Sequence, residues 1–259
     1  MNANQKLKTY IQQFGPGINK EGIKFIGSEK ANNTGYGDGS AVVHDMADFS
    51  RDTNLIPKQG MVLDLGSGLG ISSIRWVSEG YKATGIEINE SLANLSKRIT
   101  SNLINKGYMK KNKMKVLQGS YFPAEYIDAR NEGLTKAPYF EDKMVFKGHE
   151  SLGLKVLSPE QNNPEIYTQA GTEFSDFDIY YGFLWNTQTP SALEMFSMYS
   201  TKPKAIFTGI FPAIGEKELD EMLDTFELVS LNKELGLKKD FKIIAKKENL
   251  DNIMKRATL

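Results

Sequence analysis

Residues 61–70 read Met61-Val-Leu-Asp-Leu-Gly-Ser-Gly-Leu-Gly70. Met61–Leu65 is a short apolar run with one acid, Asp64, near its end. Gly66, Gly68 and Gly70 then alternate before a helical pattern begins at Ile71. A buried strand, a glycine turn and a helix start form the half-unit on which nucleotide-like cofactors sit. A dinucleotide fingerprint, G-x-G-x-x-G, would need its third glycine at position 71, where the β-branched Ile71 stands instead. Twenty-one residues past Gly66, Gly85-Ile86-Glu87-Ile88-Asn89 places a second acid at the end of the next apolar strand. A carboxylate there can accept hydrogen bonds from both ribose hydroxyls of a nucleoside. Taken alone, such an acid is equally a cap for the helix that follows.

The form D-x-G-x-G-x-G, with Glu87 beyond it, resembles motif I of the class I (seven-stranded) S-adenosylmethionine-dependent methyltransferases. The resemblance implies S-adenosylmethionine as cofactor. It places Asp64 against the ammonium of the methionine moiety, with Gly66, Ser67 and Gly68 forming the loop beneath it. The start of the Ile71 helix would meet the carboxylate, since that end of a helix favours anions. Glu87 would take the ribose hydroxyls and Ile88 would cover one face of the adenine. Ser120 and Tyr121, after the third strand, stand where the family often has an acid for the adenine amino group. Ser120 departs from that preference, and it also reads as a turn serine capping a helix at Phe122.

Composition narrows the chemistry. The chain has 259 residues, enough for one α/β domain with additions, and 32 basic residues balance 32 acidic ones. No global field steers it to nucleic acid or an anionic membrane. There are no cysteines, which excludes disulfides, thiolate–metal sites and a cysteine nucleophile. Methylation of a pyrimidine ring carbon through a cysteine adduct is thereby excluded as well. No apolar run approaches the roughly 18–20 residues of a membrane span. A soluble cytoplasmic protein is the expectation, with no metal site, and the oligomeric state is left open.

From Gly60 onward, apolar strands and helical stripes alternate, predicting a doubly wound, mostly parallel seven-stranded α/β sheet. Strands are expected at Met61–Leu65, Ala83–Ile88, Met114–Leu117, Phe177–Phe183, Ala205–Ile210, Phe226–Leu231 and Phe241–Ala245. The last two are joined by a short polar link without a helical stripe, predicting a terminal antiparallel hairpin, which also resembles the class I sheet. Residues 1–59 read as a helical and loop segment over the cofactor cleft, and 60–259 as the methyltransferase domain. Within that domain, residues 121–175 separate the third and fourth strands and hold four of the nine prolines and eight aromatic residues. So long a stretch is improbable as a bare loop and too aromatic for a linker. It reads as an inserted lid or subdomain, or as a surface embellishment.

For catalysis, His44 with the adjoining Asp45, and Tyr181 on the fourth strand, are the candidates. His149 in the insertion is the other histidine, and Tyr36 and Asp38 lie in a glycine-rich loop that could reach the cofactor. The run Tyr180-Tyr-Gly-Phe-Leu-Trp-Asn186 lacks the Pro-Pro signature of base amine methyltransferases and the extra acids of the cation-dependent catechol type. Its rings resemble the aromatic channel of seven-stranded lysine methyltransferases, or equally pack a strand end against the next helix. Lys106, Lys110, Lys111, Lys113 and Lys115 read as a solvated basic loop. Methyl transfer to nitrogen or oxygen of a small molecule or protein side chain is therefore the expected activity. A non-catalytic protein that keeps the cofactor pocket and uses the insertion for partner binding would carry the same residues. Aminopropyl transfer is a third reading, disfavoured by the run Gly66-Ser-Gly-Leu-Gly70.

Overall fold

Val62, Leu63 and Leu65 are all buried, so the first strand has no solvent face. That is the signature of a parallel sheet covered on both sides. The computed structural model describes residues 5–9, 43, 45–48, 55, 59–137, 166–184, 188–211, 214–234 and 241–255. In chain order these form β1 (Met61–Leu65), α1 (Ile71–Ser78), β2 (Lys82–Glu87), α2 (Glu90–Asn105), β3 (Met114–Gln118), α3 (Ala124–Asn131) and α4 (Ile166–Gln169). Then follow β4 (Ile179–Phe183), α5 (Thr189–Tyr199), β5 (Ile206–Ile210), α6 (Glu216–Thr225), β6 (Leu228–Ser230), α7 (Leu231–Glu234), β7 (Lys242–Lys246) and α8 (Leu250–Met254).

The seven strands lie in the order β3-β2-β1-β4-β5-β7-β6. All neighbours are parallel except β7, which runs antiparallel to both β5 and β6. The predicted seven-stranded α/β sheet and its terminal antiparallel pair are both present. One detail differs: the link after β6 opens with a helical turn, Leu231–Glu234, whose Asn232 is buried and tied to β7. Asn232 Nδ2 donates to Phe241 O at 3.0 Å, and its Oδ1 accepts from Ile243 N at 2.6 Å. Four residues are too short to show a stripe, so periodicity could not find this turn.

Strand alternation sends side chains to two opposite cores. On β4, Ile179 and Tyr181 point to one cluster and Tyr180 to the other. The first cluster is covered by Ile71, Ile74, Trp76 and Val77 of α1, together with Leu7, Val43, Met46, Ala47 and Leu55 of the N-terminal segment. Trp76 is fully buried, edge-on to Tyr81 at 5.2 Å and Tyr181 at 6.2 Å. Burying a ring of that size contributes up to about 5 kcal/mol. The second cluster is covered by α5 and α6, and by Tyr126, Ala137, Ile166, Tyr167 and Phe174.

Those last five residues come from within 121–175. The described ends of this stretch therefore complete the second core, and they are joined to it by polar bonds as well. Glu194 of α5, only 3 % exposed, accepts from Tyr126 Oη at 2.9 Å and from Ala137 N at 3.1 Å, and also from Lys136 N. The helix expected at Phe122 begins two residues later, at Ala124, after Pro123 has fixed its entry.

The chain leaves β1 toward β2 and β3 on one side, then crosses to β4 on the other. Between β1 and β4 the winding direction reverses. Open α/β sheets bind ligands at the carboxyl ends of the strands at such a reversal. The glycine loop after β1 stands there.

Candidate functional site

The loop Gly66–Gly70 turns β1 into α1 through three left-handed glycines, at φ 71°, 53° and 76° for Gly66, Gly68 and Gly70. The L-residues are disfavoured there because Cβ crowds the following carbonyl. Two backbone bonds hold the turn. Ser67 N donates to Ile86 O of β2 at 2.9 Å, and Gly70 N donates to Ser67 O at 2.8 Å.

The three glycines serve different ends. A Cβ at Gly66 or Gly68 would meet nothing within 4 Å, so this side of the loop is an open cradle. A Cβ at Gly70 would collide with the Ser96 side chain of α2 and stand 2.9 Å from Met114 Cε. The first two leave room for something outside the chain; the third lets α1 start against α2.

Two carboxylates flank the loop. Asp64, at the end of β1, is 2 % exposed and accepts from Ser73 Oγ at 2.6 Å. Burial pushes its carboxyl up to about 7; the hydroxyl and backbone N–H of Ser73 pull it back, and the charge of Glu87 adds to the rise. Glu87, at the end of β2, is 5 % exposed. Its Oε2 accepts from Gly68 N at 2.7 Å and its Oε1 from Asn89 N at 2.8 Å. Burial raises its pKa too, opposed by these backbone bonds. Asn89 caps α2, its Oδ1 accepting from Leu92 N at 3.1 Å. Neither carboxylate forms an ion pair among the described residues. Two buried acids beside one open cradle favour a ligand with a positive group and hydroxyl donors.

Asp64, the glycine loop and Glu87 are thus brought together as their spacing predicted, with Ile88 half-buried beside them. Ser67 donates its N–H to Ile86 O of β2 and accepts from Gly70 N, and its Oγ is buried without a partner among the described residues. Ser120 is 5 % exposed, with Oγ accepting from Phe122 N at 3.2 Å, the turn geometry its second reading described. Tyr121 is half-buried, its ring 4.7 Å from Phe122 and its carbonyl accepting from Tyr167 Oη at 2.6 Å.

Tyr181 is 1 % exposed, its ring among the first core cluster against Trp76. Tyr180 faces the other core, its Oη donating to Phe174 O at 2.6 Å. Both rings pack the core: Tyr180 meets Phe196 of α5, the next helix, whereas Tyr181 meets Trp76 of α1. His44, His149, Tyr36, Asp38, Trp185 and Asn186 lie outside the described residues. Of the lysine cluster, Lys113 Nζ donates to Gly80 O at 3.0 Å and Lys115 Nζ to Ala170 O at 2.7 Å.

Three residues of the site escaped the sequence reading: Ser73, Asn89 and Gly85. Asn89 had a signal, standing between a strand and a helical stripe as an N-cap. Ser73 and Gly85 had none, because their roles depend on a neighbouring strand.

No protein-family model matches the chain, and no curated protein matches it. Solved structures do resemble it. Magnesium protoporphyrin IX methyltransferase from Synechocystis PCC 6803, with bound SAM, is 8 % identical with a TM-score of 0.49, over 95 % of this chain and 98 % of that one. A TehB-like SAM-dependent methyltransferase from Corynebacterium glutamicum is 12 % identical with a TM-score of 0.45, over 93 % and 97 %. A SAM-dependent methyltransferase from Agrobacterium tumefaciens is 11 % identical with a TM-score of 0.41, over 73 % of this chain; the chain spans about half of its length, 52 %. By its own sheet order and glycine loop, the chain has the mostly parallel seven-stranded α/β sheet with a terminal antiparallel pair that the resemblance of its glycine motif led one to expect.

Proposed function

We propose that this chain binds S-adenosylmethionine in the Gly66–Gly70 cradle and transfers its methyl group to nitrogen or oxygen of a small molecule or protein side chain. One observation carries the reading. Two buried carboxylates, Asp64 and Glu87, flank a loop whose glycines leave open space at Gly66 and Gly68. The residues fit the group. Asp64 would face its ammonium, Glu87 its ribose hydroxyls and Ile88 its adenine.

When bound, this cofactor supplies a methyl group already activated on a sulfonium. The chain need only hold the reacting partners in line and keep water away, and orientation supplies most of the acceleration. Asp64 and Glu87 act as fixed acceptors. Their burial strengthens each bond they make to a charged or hydroxyl donor. Glu87 also holds the loop through Gly68 N, so binding group and loop shape are one unit.

The absence of cysteine in the chain favours an acceptor that attacks directly, such as an amine or hydroxyl. Nucleic acid is not proposed as substrate: charge balances, and Lys113 and Lys115 are engaged with main-chain carbonyls.

Thermal denaturation with S-adenosylhomocysteine and with NAD tests the cofactor. S-adenosylhomocysteine should raise the melting temperature and NAD should not, since a ligand of the native state stabilises it by mass action. The reverse pattern would overturn the reading.

A further inference from the structure

Ser73 is the third residue of α1, and its side chain is wholly buried. Its hydroxyl donates to Asp64 Oδ2 at 2.6 Å, and its backbone N–H adds to the pull that favours the ionised carboxylate. On the neighbouring strand, Gly85 is the register partner of Asp64. A Cβ at Gly85 would stand 2.7 Å from Ser67 Oγ and 2.9 Å from Ser73 Oγ. The two serine hydroxyls therefore occupy the volume that a side chain at 85 would take.

We propose that Ser73 is a positioning residue of the site, holding the Asp64 carboxylate in the orientation the ligand needs, and that position 85 is glycine so that Ser73 can reach it. A buried carboxylate without a cation is unstable as a charge and, once protonated, can turn to donate elsewhere. Donors on the carboxylate oppose both changes, because they favour the ionised form and restrict rotation. The groups facing Asp64 are Glu87 from β2, of like charge, and Ser73 from α1, with Tyr181 its register partner on β4. Ser73 thus counters both burial and Glu87.

The claim about the ligand rests on the cofactor reading above; the claim about Asp64 does not. Two measurements separate them. Carboxyl carbon-13 NMR of ligand-free protein follows the titration of Asp64 in Ser73→Ala, Ser73→Cys, Ser73→Thr and Gly85→Ala. The midpoint should rise by about one pH unit in Ser73→Ala and Ser73→Cys, return in Ser73→Thr, and rise in Gly85→Ala. Calorimetry at pH 6 should show S-adenosylhomocysteine binding about tenfold weaker in the Ala and Cys variants, with Thr close to the parent. Cys matches Ser in size and keeps the test alive should Ala not fold. An unchanged midpoint in a folded Ala or Cys variant overturns the proposal. A shifted midpoint with unchanged affinity overturns it too, leaving a structural hydrogen bond. If the parent protein binds no S-adenosylhomocysteine, the cofactor reading fails, while the NMR midpoint still decides whether Ser73 sets Asp64.

Discussion

Gly68 N donates to Glu87 Oε2 at 2.7 Å, joining the loop after β1 to the acid at the end of β2. The same carboxylate accepts from Asn89 N through its other oxygen, at 2.8 Å. One buried side chain thereby fixes the glycine loop and the entry to α2. Removing it should change the loop as well as the ligand contacts.

Glu87→Ala should weaken S-adenosylhomocysteine binding by about ten- to a hundredfold, roughly 1.5–3 kcal/mol, through lost charge-assisted bonds. It should also speed hydrogen exchange at the Gly68 and Asn89 amides in ligand-free protein. Calorimetry reads the first effect and exchange NMR the second. Unchanged affinity in a folded variant would remove Glu87 from the site.

Asp64 links binding to pH. Its folded pKa, about 7, lies above the ordinary 3.8 because burial disfavours the charge. Between those values the folded protein holds a proton that the unfolded chain has released. The stability this contributes is complete below pH 3.8 and is lost as pH rises through 7. Asp64→Asn should flatten that loss in denaturant titrations across this window. A cationic ligand group favours ionised Asp64, so S-adenosylhomocysteine affinity should rise from pH 5 to 7 and level off above. The slope should approach about tenfold per pH unit. A flat affinity profile would show that Asp64 does not feel the ligand's charge.

Gly68→Ala and Gly70→Ala should separate ligand binding from folding. At Gly70, left-handed strain combines with the collision against Ser96 and Met114. The cost should be about 2–4 kcal/mol, seen as a lower midpoint in urea. At Gly68 only the strain applies, about 1–2 kcal/mol. Its methyl group would stand in the open cradle, so ligand affinity should fall instead. Equal stability losses at the two positions would contradict the open-cradle geometry.

Replacement within 121–175 should depend sharply on its limits. Excising 124–172 removes Tyr126, Ile166 and Tyr167 from the second core and leaves Glu194 buried without its partners. That variant should not fold. Replacing 138–165 alone with a Gly/Ser linker keeps these contacts. It should fold, bind S-adenosylhomocysteine within about tenfold of the parent, and lose methyl transfer in an acceptor screen. Circular dichroism and calorimetry check the first two expectations. Full turnover would rule out an acceptor-binding role for 138–165.

Much of this site was legible in one dimension because its signals are local. Asp64, Gly66, Gly68 and Gly70 lie within seven residues, and a strand, a tight turn and a helix start each need particular residue types at fixed spacing. Glu87 was legible because the next strand's apolar run ends there. Alternation of strands and stripes likewise determined the α/β class and the terminal pair, since backbone periodicity is written directly into hydrophobicity.

What packs across the sheet was decided by tertiary structure alone. Tyr181 and Tyr180 are adjacent in sequence, yet the pleat sends one ring to Trp76 and the other to Phe174. No local pattern says that either face is covered. Ser73 looks like any helix serine until β1 brings Asp64 beneath it, and Gly85 looks like a strand defect until two serine hydroxyls occupy its missing side chain. The ends of 121–175 read as part of an insertion because their partners, Glu194 and the second core, are far away in the chain. Periodicity reports which residues avoid water; only the folded sheet settles which of them meet, because those contacts are made between segments that the sequence keeps apart.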